Sequence, residues 1–313
     1  MRTARALRAA GVLGLNTRNA DYILPVNHRR NYPLVDDKLK TKTLAAEHGL
    51  NTPELYATIR YGAETRMLAD LAARHQDFVV KPASGSGGDG IIVVKGRIGD
   101  SLRLADRSTM SLEELAYHIK IALTGVFSLG GQPDKVLIEY CVQFDPVFEP
   151  IAFQGVPDIR IIAYKGVPVM AMVRLPTRQS GGKANLHQGA IGAGIDLASG
   201  RTLTAVHRNG VVDTHPDTHA RVTGVEIPRF DRMLEIASRC NAMTGLGYVG
   251  VDLVIDRELG PLMLELNARP GLAIQIANRT GLGLRLRAVD EQRVYERPQA
   301  ERIEFARTHF AAT

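Results

Sequence analysis

With 313 residues and 45% hydrophobic content, the chain has enough apolar material for two compact lobes and too much to stay disordered. Its formal charge of +6, from 39 Lys and Arg against 33 Asp and Glu, is spread along the chain. With no Trp and 5% aromatics, no basic stripe interleaved with stacking rings can be drawn, so nucleic acid is excluded from the expected partners. Cys141 and Cys240 stand alone, without a CxxC or zinc-like spacing, which fits buried thiols in a reducing cytoplasm. No run of 18 apolar residues offers a membrane span.

The opening MRTARALRAAGVLGL predicts an amphipathic helix with Arg2, Arg5 and Arg8 on one side and Leu7 opposite. Packing on the protein's own core is favoured there over membrane-surface or partner docking. The polar, turn-rich stretch that follows, up to Lys38, reads as an extended arm. KLKTKTLAAEHGL is helical, with Gly49 as its stop and Thr52-Pro53 preventing continuation. A second helix, roughly residues 64–74, leads into the strand DFVVK. Next come the strand IIVVKG, the helix SLEELAYHIKIAL and the strands VLIEYCV, DIRIIAYKG and VPVMAMVRL, with Tyr164-Lys165-Gly166 as a hairpin signal.

The Gly-rich segment 180–200 reads as a mobile loop. In HPDTH, His215 and His219 have the spacing of zinc ligands. No third ligand is near and Pro216 breaks a helix, so an exposed loop is expected. A helix from PRFDRMLEIASRCNAMTG precedes a final hairpin, and the charged tail after Leu286 is helical near Glu301 to His309. Helices interleaved with hairpins argue for an α+β fold over a doubly wound parallel sheet.

Residues 85–90, GSGGDG, match G-x-G-x-x-G, yet they run into a β-branched strand instead of opening a helix, so the dinucleotide reading fails on context. No GxxxxGK[ST] is present, and no HRD or DFG follows, which removes the P-loop and protein-kinase readings. A strand, a glycine loop and a returning strand make a flap whose backbone N–H groups can close over phosphates. Lys81 ends the apolar run FVV, where a half-buried ammonium needs an anion.

In GYVGVDLVIDRELGPLMLELNARPG two apolar strands flank a turn at Arg257 to Gly260. A turn centred near Glu258 and Leu259 sets Asp252 opposite Glu265, with Asn267 two residues on and sharing that face. Two carboxylates and an amide inside runs this apolar are hard oxygen donors whose mutual repulsion a Mg²⁺ ion would relieve. The solvated hairpin face explains Asp256 and Glu258 at the turn, not these three.

Lys38, Lys81, the flap, IEY at 138–140, DIR at 158–160, NLH at 185–187, GVD at 250–252 and ELNARPG at 265–271 form an ordered set over most of the chain. That set resembles ATP-grasp ligases of the RimK type, within them the RimK-related, alpha-L-glutamate ligase-like group, to which the opening LNTRNADYILPVN is also similar. The resemblance implies an ATP-grasp fold of two α+β lobes gripping ATP and Mg²⁺, with two ions expected and Mn²⁺ able to substitute. Its expected parts are an N-terminal helix and arm over 1–35, an ATP-grasp domain over 36–285, and a charged tail over 286–313. Within the domain the flap lobe falls at about 50–135 and the metal-binding lobe at about 136–285.

By the same resemblance Lys38 and Lys81 would contact phosphates, beneath a cover of Ser84, Gly85, Ser86, Gly87, Gly88 and Gly90. Lys38 is preferred to Lys40 and Lys42 because Asp37-Lys38 fits the family pattern. Glu139, Tyr140, Cys141 and Val142 would form the adenine hinge through backbone groups. Asp158 and Arg160 would lie near the nucleotide, Asn185 and His187 in the phosphate and metal region, and Asp252, Glu265 and Asn267 would be the metal ligands.

The implied chemistry is attack of a carboxylate on the γ-phosphate to give an acyl phosphate, then displacement of phosphate by an amine. Both steps gather negative charge that fixed cations must neutralise. Arg174 and Arg269 are the candidates for orienting the carboxylate and steadying the tetrahedral intermediate. The expected activity is therefore that of an acid–amino-acid ligase adding glutamate or another amino acid to a small-molecule or peptide substrate. Only about 35 residues precede the first lysine motif, where such ligases usually carry a sizeable domain. Hence the substrate does not carry over, and a second subunit or partner chain is an open route to a complete acceptor pocket. A catalytically silent ATP-binding module working with a partner, and a phosphotransferase, are the alternative readings.

Overall fold

The computed structural model describes residues 2–85, 87–208 and 210–312. Ser86, expected in the flap, lies outside the described residues. The chain opens with α1 (Arg2–Ala9). The expected extended arm is instead a succession of helical turns: α2 (Leu15–Thr17), a π-helical stretch Arg18–Ile23, a 3-10 turn Arg29–Asn31 and α3 (Pro33–Asp36). Burial is the reason. Tyr22, Ile23 and Val35 enter the core, so the backbone around them must satisfy its own N–H and C=O groups.

Asp37 starts α4 (Lys38–Glu47), its Oδ1 accepting from Leu39 N at 2.9 Å, and Gly49, at φ +62°, ends that helical run. Then follow β1 (Leu55–Ile59), α5 (Leu68–Arg74), β2 (Phe78–Pro82), β3 (Ile92–Ile98), β4 (Ser101–Leu104) and β5 (Thr109–Met110). Next are α6 (Leu112–Leu123), opened by a reciprocal Ser111–Glu114 capping box, and β6 (Val136–Glu139). Residues 37–42 and 52–142 form one compact unit. Its six-stranded antiparallel sheet has the order β1-β6-β2-β3-β4-β5. Its core joins Leu68, Leu115 and Ile119 to Phe78, Val80, Val94 and Ile138.

The other unit comprises residues 1–36, 43–51 and 143–313. It holds β7 (Asp158–Tyr164), β8 (Val167–Leu175), β9 (Ile191–Ile195), β10 (Thr202–His207) and β11 (Gly210–Val212). After these come α7 (Phe230–Thr244), β12 (Tyr248–Asp256), β13 (Gly260–Asn267), α8 (Ile274–Asn278), α9 (Leu282–Glu291) and α10 (Gln299–His309). The sheet is antiparallel in the order β11-β10-β9-β8-β7-β12-β13. Lys165 and Gly166, at φ +48° and +77°, make the tight turn expected between β7 and β8. Met233, Leu234 and Ala237 of α7 meet Ile161, Val251 and Leu253 in the core.

The segment 180–200 is only partly a loop, because its second half forms β9. Ile191, Ala193 and Ile195 are buried, and a Cβ on Gly194 would stand 2.7 Å from Ala277 O. Gly194 thus serves the close approach of a helix to the sheet. Both cysteines are buried, as expected, and no disulfide joins them. No helix among the described residues is long and apolar enough to cross a membrane.

Candidate active site

In the smaller unit the glycine loop joins β2 to β3 and is pinned at both ends. Ser84 N and Ser128 Oγ both donate to Asp134 Oδ2, at 2.9 and 2.7 Å, and Lys38 Nζ donates to Gly85 O at 2.5 Å. At the far end His118 Nε2 lies 3.0 Å from Gly90 O, and a Cβ on Gly90 would sit 2.5 Å from the Phe127 ring. Gly87, Gly88 and Gly90 have φ of +68°, +81° and +74°, a backbone shape that side-chain-bearing residues rarely adopt.

Beside the root of this loop two ammonium groups share one carboxylate. Glu139 pairs with Val79 in the β2–β6 ladder, and Lys81 lies two residues further along β2, on the same face. The Lys81 ammonium contacts Glu139 Oε1, while Lys42 Nζ stands 2.8 Å from Oε2 and donates to Pro53 O at 2.6 Å. Lys42, Lys81 and Glu139 are only 7%, 6% and 3% exposed, so the group carries one positive charge in excess in a nearly dry setting. Burial would raise the Glu139 carboxyl, but Lys81 and Lys42 overcome it and hold the group below the usual range. Burial likewise draws the Lys42 ammonium down, against the pull of Glu139.

The anion that Lys81 needs is thus supplied in part from within the chain. Lys42 was not among the expected contacts. The available signal was its position four residues after Lys38, on the same side of a helix. Lys40 is exposed. The Glu139 side chain faces the lysines, Tyr140 N donates to Glu54 O at 2.9 Å, Cys141 and Val142 are buried, and the unit ends at Val142.

In the larger unit Asp252 stands opposite Glu265 and Gly250 opposite Asn267, as the alternation predicts. The turn, however, is one residue shorter than that pairing implies, since Asp256 faces Gly260 and Leu253 faces Met263. A register shift between Asp252 and Leu253 makes up the difference. Without that bulge Leu264 would face Asp252 and Glu265 would turn to the other side of the sheet.

On its other flank Asp252 faces Arg160 across β7, and Asp158 faces Arg174 across β8. Arg160 grips Asp252 with two bonds, Nε to Oδ1 at 2.6 Å and Nη2 to Oδ2 at 2.5 Å. Arg174 Nη2 reaches Asp252 Oδ2 at 2.9 Å, and its Nε reaches Asp158 Oδ1 at 3.0 Å. Asn267 Nδ2 adds a bond to Asp252 Oδ2 at 3.2 Å. The cluster thus brings together Asp158, Arg160, Arg174, Asp252 and Asn267, with Glu265 on the facing strand. Burial and the Asp252 charge push Asp158 up to about 7 in spite of Arg174. Burial opposes the Asp252 charge too, but Arg160 and Arg174 hold that carboxyl well below the usual range.

Glu265, Asn267 and Asp252 suit a hard divalent cation in donor chemistry. Asp252 already accepts four N–H groups, three of them on Oδ2, so a metal would compete with its arginine contacts. Among the described residues no three His, Cys, Asp or Glu side chains form a metal site by themselves. The candidate set is two carboxylates and an amide.

Arg269 lies outside this cluster, exposed, with its guanidinium carbon 5.1 Å from the centre of the Tyr32 ring. Asn185 and His187 sit on the loop before β9, where Asn185 Oδ1 caps a 3-10 turn by accepting from His187 N at 3.0 Å. His215 corrects the expected exposed loop: it is fully buried, although His219 is exposed. Its Nδ1 accepts from Asp217 N and Thr218 N at 3.2 and 3.3 Å, so Nε2 carries the proton that goes to Pro176 O at 2.9 Å. Both ring nitrogens are satisfied by backbone groups, which spacing alone does not show.

Two antiparallel sheets, one rooting a glycine flap beside buried lysines and the other carrying the acid–amide hairpin, define the ATP-grasp class. Within it, residues 17–291 match the family model of sugar-transfer associated ATP-grasp proteins, and the chain belongs to that family. No curated protein matches the sequence. Among solved structures, the chain is similar to the ATP-grasp ligase PsnB complexed with minimal precursor, at 15% identity and a TM-score of 0.46, over 84% of this chain and 62% of PsnB. It is similar to the D-cycloserine synthetase DcsG at 16% identity and 0.46, over 83% and 71% of the two chains. A D-alanine–D-alanine ligase from Bacillus anthracis gives 15% and 0.46, over 85% and 70%. The chain thus spans about three fifths of the PsnB chain.

Proposed function

We propose that this chain is an ATP-dependent carboxylate–amine ligase working through an acyl phosphate. The observation that carries the reading is the Lys42–Glu139–Lys81 group, whose buried positive charge in excess is a receptor for a phosphate oxygen. Membership of an ATP-grasp family supports the choice of ATP as that phosphate's source. RimK-related addition of glutamate or another amino acid is the particular form we favour, in the cytoplasm.

In this reading Lys42 and Lys81 hold the nucleotide phosphates, with Lys38 steadying the flap through Gly85. The flap glycines Gly85, Gly87, Gly88 and Gly90 close over those phosphates, and residues 139–142 border the adenine. Glu265, Asn267 and a partly released Asp252 would hold Mg²⁺, two ions or Mn²⁺ in its place included, and the metal would supply charge neutralisation on the phosphates. Arg160 and Arg174 are fixed cations for the charge that gathers as the carboxylate oxygen bonds to the γ-phosphorus and ADP leaves. Asn185 and His187, on the loop before β9, would contact phosphate in the same reading. The amine nitrogen then bonds to the acyl carbon, phosphate departs, and a proton is released. Arg269 orients the carboxylate.

The test is incubation of the full chain with Mg-ATP and pooled carboxylates and amines. The pools include amino acids and, because the family is described as sugar-transfer associated, uronic acids and amino sugars. Substrate-dependent ADP with an amide product by mass spectrometry, or a hydroxamate with hydroxylamine, is expected. A stable phosphoproduct without any amine requirement would select a phosphotransferase instead. ATP binding with no turnover in any pool would leave a silent binding module.

A further inference from the structure

The helical arm and the turn after β13 build a second cationic site within the larger unit. Arg18, the first residue of the π-helical stretch, is 5% exposed. Its Nη1 donates to Pro270 O at 2.6 Å, and its Nε and Nη2 donate to Asn19 Oδ1 at 3.1 and 2.9 Å. A guanidinium has five N–H donors, so two are left over, and those in use meet only neutral acceptors. No carboxylate among the described residues pairs with Arg18 or with Arg269, which sits on the very turn that Arg18 grips.

Burying a guanidinium without an acid is unfavourable, and here burial and the nearby Arg269 charge both lower its proton affinity. A second orphan lies close by: the hydroxyl of Tyr248 is buried without a hydrogen-bond partner. The frame around these groups is tight. Asn27 Nδ2 donates to Tyr248 O and Ala268 O at 2.8 and 3.2 Å, and its Oδ1 accepts from Tyr248 N at 2.8 Å. A Cβ on Gly247 would stand 2.5 Å from Val26, and one on Gly250 would stand 2.6 Å from Pro270. Arm and turn therefore lie directly on β12. π-Helical turns recur at functional sites.

We propose that Arg18 and Arg269 together bind a carboxylate group of the substrate, so that the N-terminal arm forms part of the acceptor site. This rests on the ligase reading above, which requires a carboxylate and already commits Lys42 and Lys81 to phosphate. The planar guanidinium fork matches a carboxylate bidentately, and the Tyr32 ring supports Arg269 from behind. Arg18 also positions Arg269 by fixing the Pro270 carbonyl.

The experiment is saturation-transfer NMR on the full chain with Mg-ADP, using succinate, glutamate and glucuronate beside their fully esterified methyl esters. At least one free acid binds and its ester does not. Arg18→Gln and Arg269→Gln each weaken that binding at least tenfold, Arg18→Lys less so, and Mg-ADP affinity stays within twofold. Arg269 is exposed, so its variant decides the matter should Arg18→Gln fail to fold. The proposal is overturned if no acid binds the wild type, if an ester binds as well as its acid, or if Arg269→Gln binds like wild type. Acid binding without turnover keeps this site and removes the ligase reading. Turnover with an unchanged KM for the carboxylate in Arg269→Gln does the reverse.

Discussion

Glu139→Gln removes the carboxylate that Lys42 and Lys81 share while keeping the side chain's shape. At 2.8 Å, the Lys42 contact alone is worth about 6 kcal/mol of gross attraction at an effective dielectric of about 20, and desolvation cancels part of it. Breaking a buried pair by removing one partner leaves uncompensated charge and costs about 3–5 kcal/mol. At roughly 4–8 °C per kcal/mol for a unit near 100 residues, Tm should fall by about 12 °C or more in a thermal scan followed by circular dichroism. Adding Lys42→Met returns the excess to a single charge, so the double variant should melt above Glu139→Gln.

The pH dependence has a definite sign. Glu139 is held below its usual range, so its contribution is complete at neutral pH and is lost as pH falls below the unfolded value of about 4.3. The gap between wild type and variant should therefore narrow on acidification. A Tm loss under about 3 °C, or a double variant less stable than the single one, would refute the excess-charge argument.

Lys42→Met and Lys81→Met should each weaken Mg-ADP binding at least tenfold by calorimetry, about 1.4 kcal/mol. Lys38→Met, whose ammonium sits on Gly85 O, should lose less than threefold. Asp252→Asn leaves Arg160 and Arg174 short of an anion and should cost about 3–5 kcal/mol in urea unfolding. Equal stability there would mean that the arginines do not depend on it. Gly90→Ala, at φ +74° and against Phe127, should cost at least about 1–2 kcal/mol. His215→Ala should cost about 1–3 kcal/mol through the three bonds it makes, whereas a zinc chelator should leave the wild-type Tm unchanged.

Much of the candidate site could be read along the chain because its parts are local. The flap is one continuous stretch between two strands, and the hairpin that carries Asp252, Glu265 and Asn267 needs only its own alternation to set their face. Even there, the right pairing depends on a bulge that no residue of the turn announces. What was not legible comes from distant contacts. Lys42 looks like any helix lysine until Glu139, some ninety-seven positions later, takes its charge. Arg160 and Arg174 reveal their shared hold on Asp252 only when three strands lie side by side. β9 hid among glycines because its reason for being a strand is the closeness of Ala277. The arm looked extended because its polar residues, Arg18, Asn19 and Asn27, bond to backbone and to one another across a fold that composition does not show.

The central claim is amide formation driven by ATP. The most direct measurement is mass spectrometry of products from ¹⁸O-labelled carboxylates incubated with the full chain, Mg-ATP and pooled amines. An acyl phosphate route predicts a new amide together with phosphate that has gained one ¹⁸O atom from the carboxylate. An amide whose formation leaves the phosphate unlabelled, or ADP released with no amide at all, would contradict it.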